Sequence, residues 1–326
     1  MVLLSRVAES LFWMGRSVER AENVARLLDV AYHGRLEPFG DGDLLGATNT
    51  WQALISTLGL DAAYSSLYDK VSEDRVIEFL TVSSLNASSI VSCVTAAREN
   101  ARSVRDHLSS ETWVAVNKLH HTTARGNLHL IMADGLYDFC DSIRQGAGLF
   151  HGTASSTQLH DEGWNWMRSG IYLERADMVT RIVDSKYHLL MSSLDEVGGP
   201  IDRHQWAAVL RSVSGYEAFR RTHAEGIEAS SVIEFLVLDN EFPRSVRRCV
   251  DGLLQSLAAA TMGAQPKLRN PSMRLVTDMQ NRLQYESAET LVGAGLHEYL
   301  AEVQRTLAAV TESVSGAFFW ATFRAA

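Results

Sequence analysis

The sequence predicts an all-α protein, a tandem-duplicated helical bundle whose two halves are related by a pseudo-twofold axis. Three observations carry that expectation. Apolar residues recur at three- and four-residue steps, as in Leu11, Met14, Val18, Ala21, Ala25 and Leu28. Only 5 prolines interrupt 326 residues, which permits long helices. A set of landmarks also returns, in order, at a shift of 155 or 156 residues. Glu19-Arg20-Ala21-Glu22 returns as Glu174-Arg175-Ala176-Asp177. Arg26, Asp29, Tyr32 and His33 return as Arg181, Asp184, Tyr187 and His188. Trp51 returns as Trp206, and Val76-Ile77-Glu78-Phe79-Leu80 returns unchanged as Val232-Ile233-Glu234-Phe235-Leu236. Ser89 and Cys93 return as Ser245 and Cys249. Self-similarity at a fixed period marks a repeated structural unit. Two copies are too few for an open solenoid, so two bundles packed together fit better. The first repeat covers residues 1–150 and the second 151–326, with the alternative that the whole chain is one fused domain. On this reading residues 3 to 110 superpose on 158 to 262.

The elements follow in order. The first helix fills Leu3 to His33 and is ended by Gly34, Pro38 and Gly40. Residues 34 to 47 read as a glycine-rich loop. Trp51, Leu54, Ile55 and Leu58 open a second helix, and Asp61 is placed to cap a short third one. Ser72 with Glu73 and Asp74 starts a fourth, its acids where the helix dipole favours them. A fifth lies within Asn86 to Leu108. Ser110 caps a stretch reaching about Phe150, weakened by Gly126, Gly135, Gly146 and Gly148. Residues 152 to 157 read as loop before the second long helix, roughly Asp161 to Leu194. Gly198-Gly199-Pro200 then breaks the chain, and the second half replays the first.

Composition narrows the function. A hydrophobic fraction of 46% belongs to a folded globular chain. Net charge −9 argues against nucleic acid as the partner. Cys93, Cys140 and Cys249 are scattered and odd in number, which fits buried thiols in a reducing compartment. Charges at Arg6, Glu9, Arg16 and Glu19 exclude a signal peptide at the N-terminus, and no apolar run approaches a membrane span. A cytoplasmic protein with no membrane partner is expected. Lysine is rare, so arginine carries most positive charge, in the form suited to carboxylates and phosphates.

Several stretches resemble the alpha-E family, a bacterial all-helical domain named for its Glu-Arg motif. The carriers are Leu4-Ser5-Arg6-Val7-Ala8-Glu9, Trp13-Met14-Gly15-Arg16 and Glu19-Arg20-Ala21-Glu22 in the first helix. Arg98-Glu99-Asn100-Ala101-Arg102, Asp161-Glu162-Gly163-Trp164, Leu173-Glu174-Arg175-Ala176-Asp177 and Phe242-Pro243-Arg244-Ser245 complete them. The resemblance covers nearly the whole chain. Two departures stand out: Ser17 replaces an aromatic, and Gly170 is followed by Ile171 where the second copy usually keeps Gly-Arg. The resemblance implies a companion of ATP-grasp amide-bond ligases, transglutaminase-like proteins and a proteasome-like peptidase, with a peptide as possible substrate. It names no cofactor, and it does not imply that this chain performs the chemistry.

The candidate site residues form charged stripes. Glu19, Glu22, Arg26 and Asp29 share one helix face, and Glu174, Asp177, Arg181 and Asp184 repeat it. A solvated face would need only the weak Glu22–Arg26 pair. A stripe kept in both copies favours a buried or cleft-lining network, where charges must be paired. Arg16, Arg20 and Arg175 flank these acids. Arg98, Arg102 and Arg105 form a second stripe that either pairs with the acids or binds an anion, and Asn100 beside them is a further candidate ligand. Arg244, beside Arg247 and Arg248, lies at the start of the equivalent helix of the second half. At a shallow crossing the helix at 19–29 and the helix at 98–105 would bring carboxylates against guanidiniums.

His121, Arg125 and His129 share a face but lack a nearby acid, so no metal site is assigned, and His33 and His188 read as C-terminal caps. HExxH, GxSxG, GxGxxG and Walker A signatures are all missing. The leading expectation is an accessory or co-catalytic partner in an ATP-grasp-type system, binding a peptide or anionic ligand. The alternatives are a metal-independent transferase using Glu19 or Glu174 as a base beside Arg98 or Arg102, and a purely structural scaffold.

Overall fold

The computed structural model describes residues 3–36, 44–124, 128–129, 131, 135–190 and 199–319. Among them the chain is helical and contains no strand. Helix α1, Ser5–Leu36, is followed by α2 (Leu44–Thr57), α3 (Asp61–Ser65), α4 (Glu73–Thr81), α5 (Ile90–Ser103), α6 (Ser110–Ala124) and α7 (Leu136–Thr157). Then come α8 (Glu162–Leu190), α9 (Pro200–Ser212), α10 (Tyr216–Thr222) and α11 (Ala229–Ile233), which runs into a π-turn at Glu234–Leu238. The series closes with α12 (Val246–Ala260), α13 (Pro266–Tyr285), α14 (Ala288–Ala294) and α15 (Leu296–Phe318). No helix among the described residues is long and apolar enough to cross a membrane.

The helix starts have local causes. The Ser89 hydroxyl accepts from the Ser92 amide at 3.2 Å, and the Ser245 hydroxyl from the Arg248 amide at 3.1 Å. Pro200 and Pro266 occupy first turns, where a missing N–H costs nothing. Gly135 (φ +101°) and Gly295 (φ +106°) precede α7 and α15 in backbone shapes that glycine adopts freely. Gly135 thereby splits the stretch that spacing runs on from Ser110 to Phe150.

Other boundaries differ from the spacing as well. Helix α1 passes through Gly34 to Leu36, and α2 begins at Leu44; residues 37–43 of the expected loop lie outside the described residues. Residues 152–157 are the end of α7, because its apolar face continues through Ala154. Leu194 lies outside the described residues. Ser109 caps α6, not Ser110: its hydroxyl accepts from the Thr112 amide at 3.1 Å. Asp61 opens α3 and instead accepts from Gln52 and Ser56, while Ser72 sits at a helix start without capping it.

Packing places the two long helices at the centre. Helix α1 lies against α5, α7 and α8; α8 lies against α1, α12 and α15. Helices α5, α6 and α7 pack in sequence around α1, and α12, α13 and α15 do so around α8. Trp51, Trp206, Phe12, Trp166, Phe150 and Phe219 are fully enclosed anchors of the core.

Candidate functional site

The site forms where α1 meets α8. Their contacts advance in one direction, Leu3 to Glu162, Gly15 to Met167, Arg20 to Glu174, so the helices run parallel. Two glycines allow the close approach. A Cβ on Gly15 would lie 2.4 Å from the Met167 carbonyl oxygen, and one on Gly170 would lie 2.1 Å from that of Phe12. The contact is reciprocal, and the sequence then continues on each helix into Glu-Arg.

The two Glu-Arg pairs exchange partners. Arg175 donates to Glu19 through Nε at 2.9 Å and Nη2 at 2.6 Å. Arg20 donates to Glu174, with Nη2 to Oε2 at 2.8 Å. Each carboxylate is held by a forked guanidinium from the opposite helix. Each also takes a second arginine. Arg16 Nε donates to Glu174 at 2.9 Å, with Nη1 reaching Thr311 on α15. Arg244, just ahead of α12, donates to Glu19 and to Glu22, both at 2.7 Å. Ile171 stands at the place of Arg16 in the second helix, and Arg244 fills the corresponding role from elsewhere.

The stripe extends outward from this centre. Arg26 binds Glu22, and Arg181 binds Asp177 at 2.9 Å. Arg26 also meets the Ser214 hydroxyl at a left-handed turn (φ +53°), while Arg181 lies against the left-handed turn at Gly59 (φ +68°). Asp29 accepts from Arg144 at 2.9 Å, and Asp184 pairs with His297 at 2.7 Å. His33 is within α1, 2.9 Å from the Asp29 carbonyl oxygen, so it is no helix-end cap; the His188 side chain lies outside the described residues.

The arginine stripe on α5 does not join this cluster. Helix α5 turns Ile90, Cys93, Val94, Ala97 and Ala101 into the core. Arg98 and Arg102 each follow a buried alanine by one residue, a rotation of about 100° that carries them off the contact face. Arg98 bonds Asn117 and Glu99, Arg102 bonds Glu99, and Asn100 donates to the Ala96 carbonyl one turn back. The expected pairing of 19–29 with 98–105 is therefore not made among the described residues, and the transferase arrangement of Glu19 or Glu174 beside Arg98 or Arg102 does not form.

His151 is the site residue that sequence reasoning missed. It reaches in from α7, with Nε2 3.3 Å from Glu19 Oε2 and 3.4 Å from Glu22 Oε2. These are ion-pair separations without hydrogen-bond alignment, and Glu22 Oε2 is buried with no aligned donor. A shift of 155 residues leads from His151 to Thr306, so the repeat offered no signal for it.

Electrostatics follow from burial opposed by guanidiniums. Burial pushes the Glu19 carboxyl up, but Arg175, Arg244 and His151 outweigh it and hold it well below the usual range. Burial likewise opposes, and Arg20 and Arg16 dominate, at Glu174, which is also lowered. Glu22 is held at about 2, with burial and Glu19 overcome by Arg244, His151 and Arg26. At Asp177 burial wins over Arg181 and the carboxyl is raised. For His151, burial lowers and the two glutamates raise; the net shift is upward.

Glu19, Glu22 and His151 each offer one metal-ligand atom within 4.8 Å of the others. The two carboxylates, however, already face Arg175, Arg244 and Arg26. A divalent cation would enter a site holding three guanidiniums against two acids, and like charge opposes it. The donor set fits a proton on His151 better than a metal. On the face weighed from sequence, His121 and His129 are exposed, and Arg125 lies outside the described residues.

Fold and site together define an all-helical bundle whose central helices are joined by exchanged Glu-Arg pairs. The chain belongs to the Alpha-E family, described as a predicted alpha-helical domain with a conserved ER motif, which matches residues 3–319. An uncharacterized protein of Mycobacterium bovis and uncharacterized proteins of two Mycobacterium tuberculosis strains are each 27% identical to it over 327 residues. Those alignments cover 95% of this chain and 35% of each relative, so it spans about a third of their length. No solved structure matches.

Proposed function

We propose that this chain is an accessory partner in an ATP-grasp-type peptide- or amide-bond-forming system, and that its Glu-Arg cluster is a clamp rather than a catalytic centre. The carrying observation is that Glu19 and Glu174, at 0% and 2% exposure, are each saturated by two guanidiniums. A carboxylate held well below its usual range is a weak general base near neutral pH. The resemblance supplies the partner class: an ATP-grasp ligase or a transglutaminase-like protein. That the matched segment is 35% of each mycobacterial relative supports a unit that works beside other domains. Any peptide or anion would meet the cluster at its rim, where Arg20 and Arg181 are about one-third exposed. Buried thiols at Cys93, Cys140 and Cys249 support a cytoplasmic setting.

The test is to incubate the purified chain with ATP, amino acids and candidate peptides, with and without an ATP-grasp ligase. Product only in the combined reaction is expected. Product from this chain alone would overturn the partner reading, and a complete reaction by the ligase alone would leave only the scaffold alternative.

The tandem duplication belongs to the same proposal. It is supported by the ordered landmarks, by the reciprocal contacts of Gly15 and Gly170, and by the exchanged Glu-Arg pairs. It requires residues 3–110 to superpose on 158–262 by a rotation near two-fold, and an experimental structure in which they do not would end it.

A further inference from the structure

The arginines of α5 that stay out of the central cluster are assembled around a tryptophan. Trp113, half-buried on α6, has the Arg98 guanidinium 6.0 Å and the Arg105 guanidinium 5.4 Å from its ring centre. Arg98 is braced by a 2.9 Å bond from Nε to Asn117. Arg102 is the outermost of the set, its side chain 67% exposed. Glu99 is the single carboxylate shared by Arg98 and Arg102. Among the described residues Arg105 pairs with no carboxylate, and neither Asp106 nor Glu111 bonds any of the three. Three guanidiniums thus form a face with one bonded carboxylate, while Asp106 and Glu111 lie close by in sequence, on a chain of net charge −9.

We propose that this face is a binding site for an acidic peptide segment of a partner protein. Guanidinium forks match carboxylates in geometry and charge. Stacking on Trp113 holds two of them in place, so less side-chain freedom is lost on binding. The ring itself offers an apolar contact between carboxylates. A nucleic acid fits less well, because three arginines release few counterions from a phosphate backbone. The site deepens the partner reading above by naming a docking surface, but its test needs no ligase, so the two can fail separately.

The probe is fluorescein-labelled hexaglutamate, titrated into the full chain at low salt and followed by anisotropy. Saturable binding is expected, weakening steeply as NaCl is raised. Hexaglutamine should not bind. Arg102→Ala with Arg105→Ala should weaken hexaglutamate by about ten-fold or more, as lost charge-assisted bonds do. Both side chains are exposed, so an unchanged melting curve is expected for that variant. Arg282→Ala, on an exposed pair with Glu302 of α15, should leave binding unchanged. Absence of binding by the native chain, or equal binding by the double variant, would overturn the proposal. So would a single-stranded oligonucleotide that binds more tightly through the same arginines.

Discussion

Glu22 and Asp177 hold the same place on their helices yet have opposite electrostatic character. Arg244 and Arg26 fix Glu22 at about 2, whereas burial raises Asp177 beyond what Arg181 recovers. Glu22→Gln should therefore destabilise in urea, while Asp177→Asn should cost little or even stabilise. A lowered carboxyl contributes stability above its unfolded value, near 4.5, that is lost as pH falls toward about 2. Glu19 and Glu174 shift in the same direction. Unfolding midpoints should drop between pH 4.5 and 2, and less steeply in Glu22→Gln. His151 has the opposite sign: its raised value contributes stability fully below pH 6.5, which fades as pH rises through the folded value. Glu19→Ala strands Arg175, leaves Arg244 with Glu22 as its one carboxylate, and should cost ~3–5 kcal/mol by thermal melt, the range for a broken buried pair. Partial recovery in a Glu19→Arg, Arg175→Glu double swap would trace that loss to the pairing.

Helices meet here through small residues, and glycines divide by what they face. Gly15→Ala or Gly170→Ala would drive a methyl into the opposing backbone, and rigid helices cannot yield locally. Each should cost about 1–3 kcal/mol, typical of overpacking, visible as a lowered melting temperature. Gly148, in α7, has nothing within 4 Å of an added Cβ. Gly148→Ala should stabilise by up to about 1 kcal/mol, because alanine is the better helix former. An equal loss at all three positions would mean that the α1–α8 approach does not set the interface. The same packing logic explains α5: its alanines take the seam, and its arginines are left outside.

At the scale of the whole molecule, α1 and α8 are each the spine of their own helical set, and the charged seam joins the sets. The break in helix at 158–161 is the natural place to separate them. If residues 1–158 and 159–326 are produced together as two chains, they should copurify as one folded complex. The Glu19→Ala variant should weaken that complex before it melts either part. Recovery of two independent monomers would contradict a shared seam.

Helical class, the order of elements and the Glu-Arg positions were legible in the sequence. Apolar spacing, caps and repeated motifs are local properties, and the stripe of acids signalled that burial would demand partners. Which partners was not legible. Arg175 and Arg20 lie more than 150 residues from the carboxylates they bind, Arg244 more than 220 from Glu19, and His151 has no repeat counterpart. Local rules also misplaced boundaries: a glycine such as Gly34 carries no mark of whether packing will hold it in helix, and the 3.5-residue period of an arginine stripe does not say which way its helix is turned. That rotation is decided by fitting alanines against α1. So the chain by itself determined where its charges lie along each helix, and tertiary packing alone decided which charges meet, because buried ions are paired by whatever the fold brings within reach.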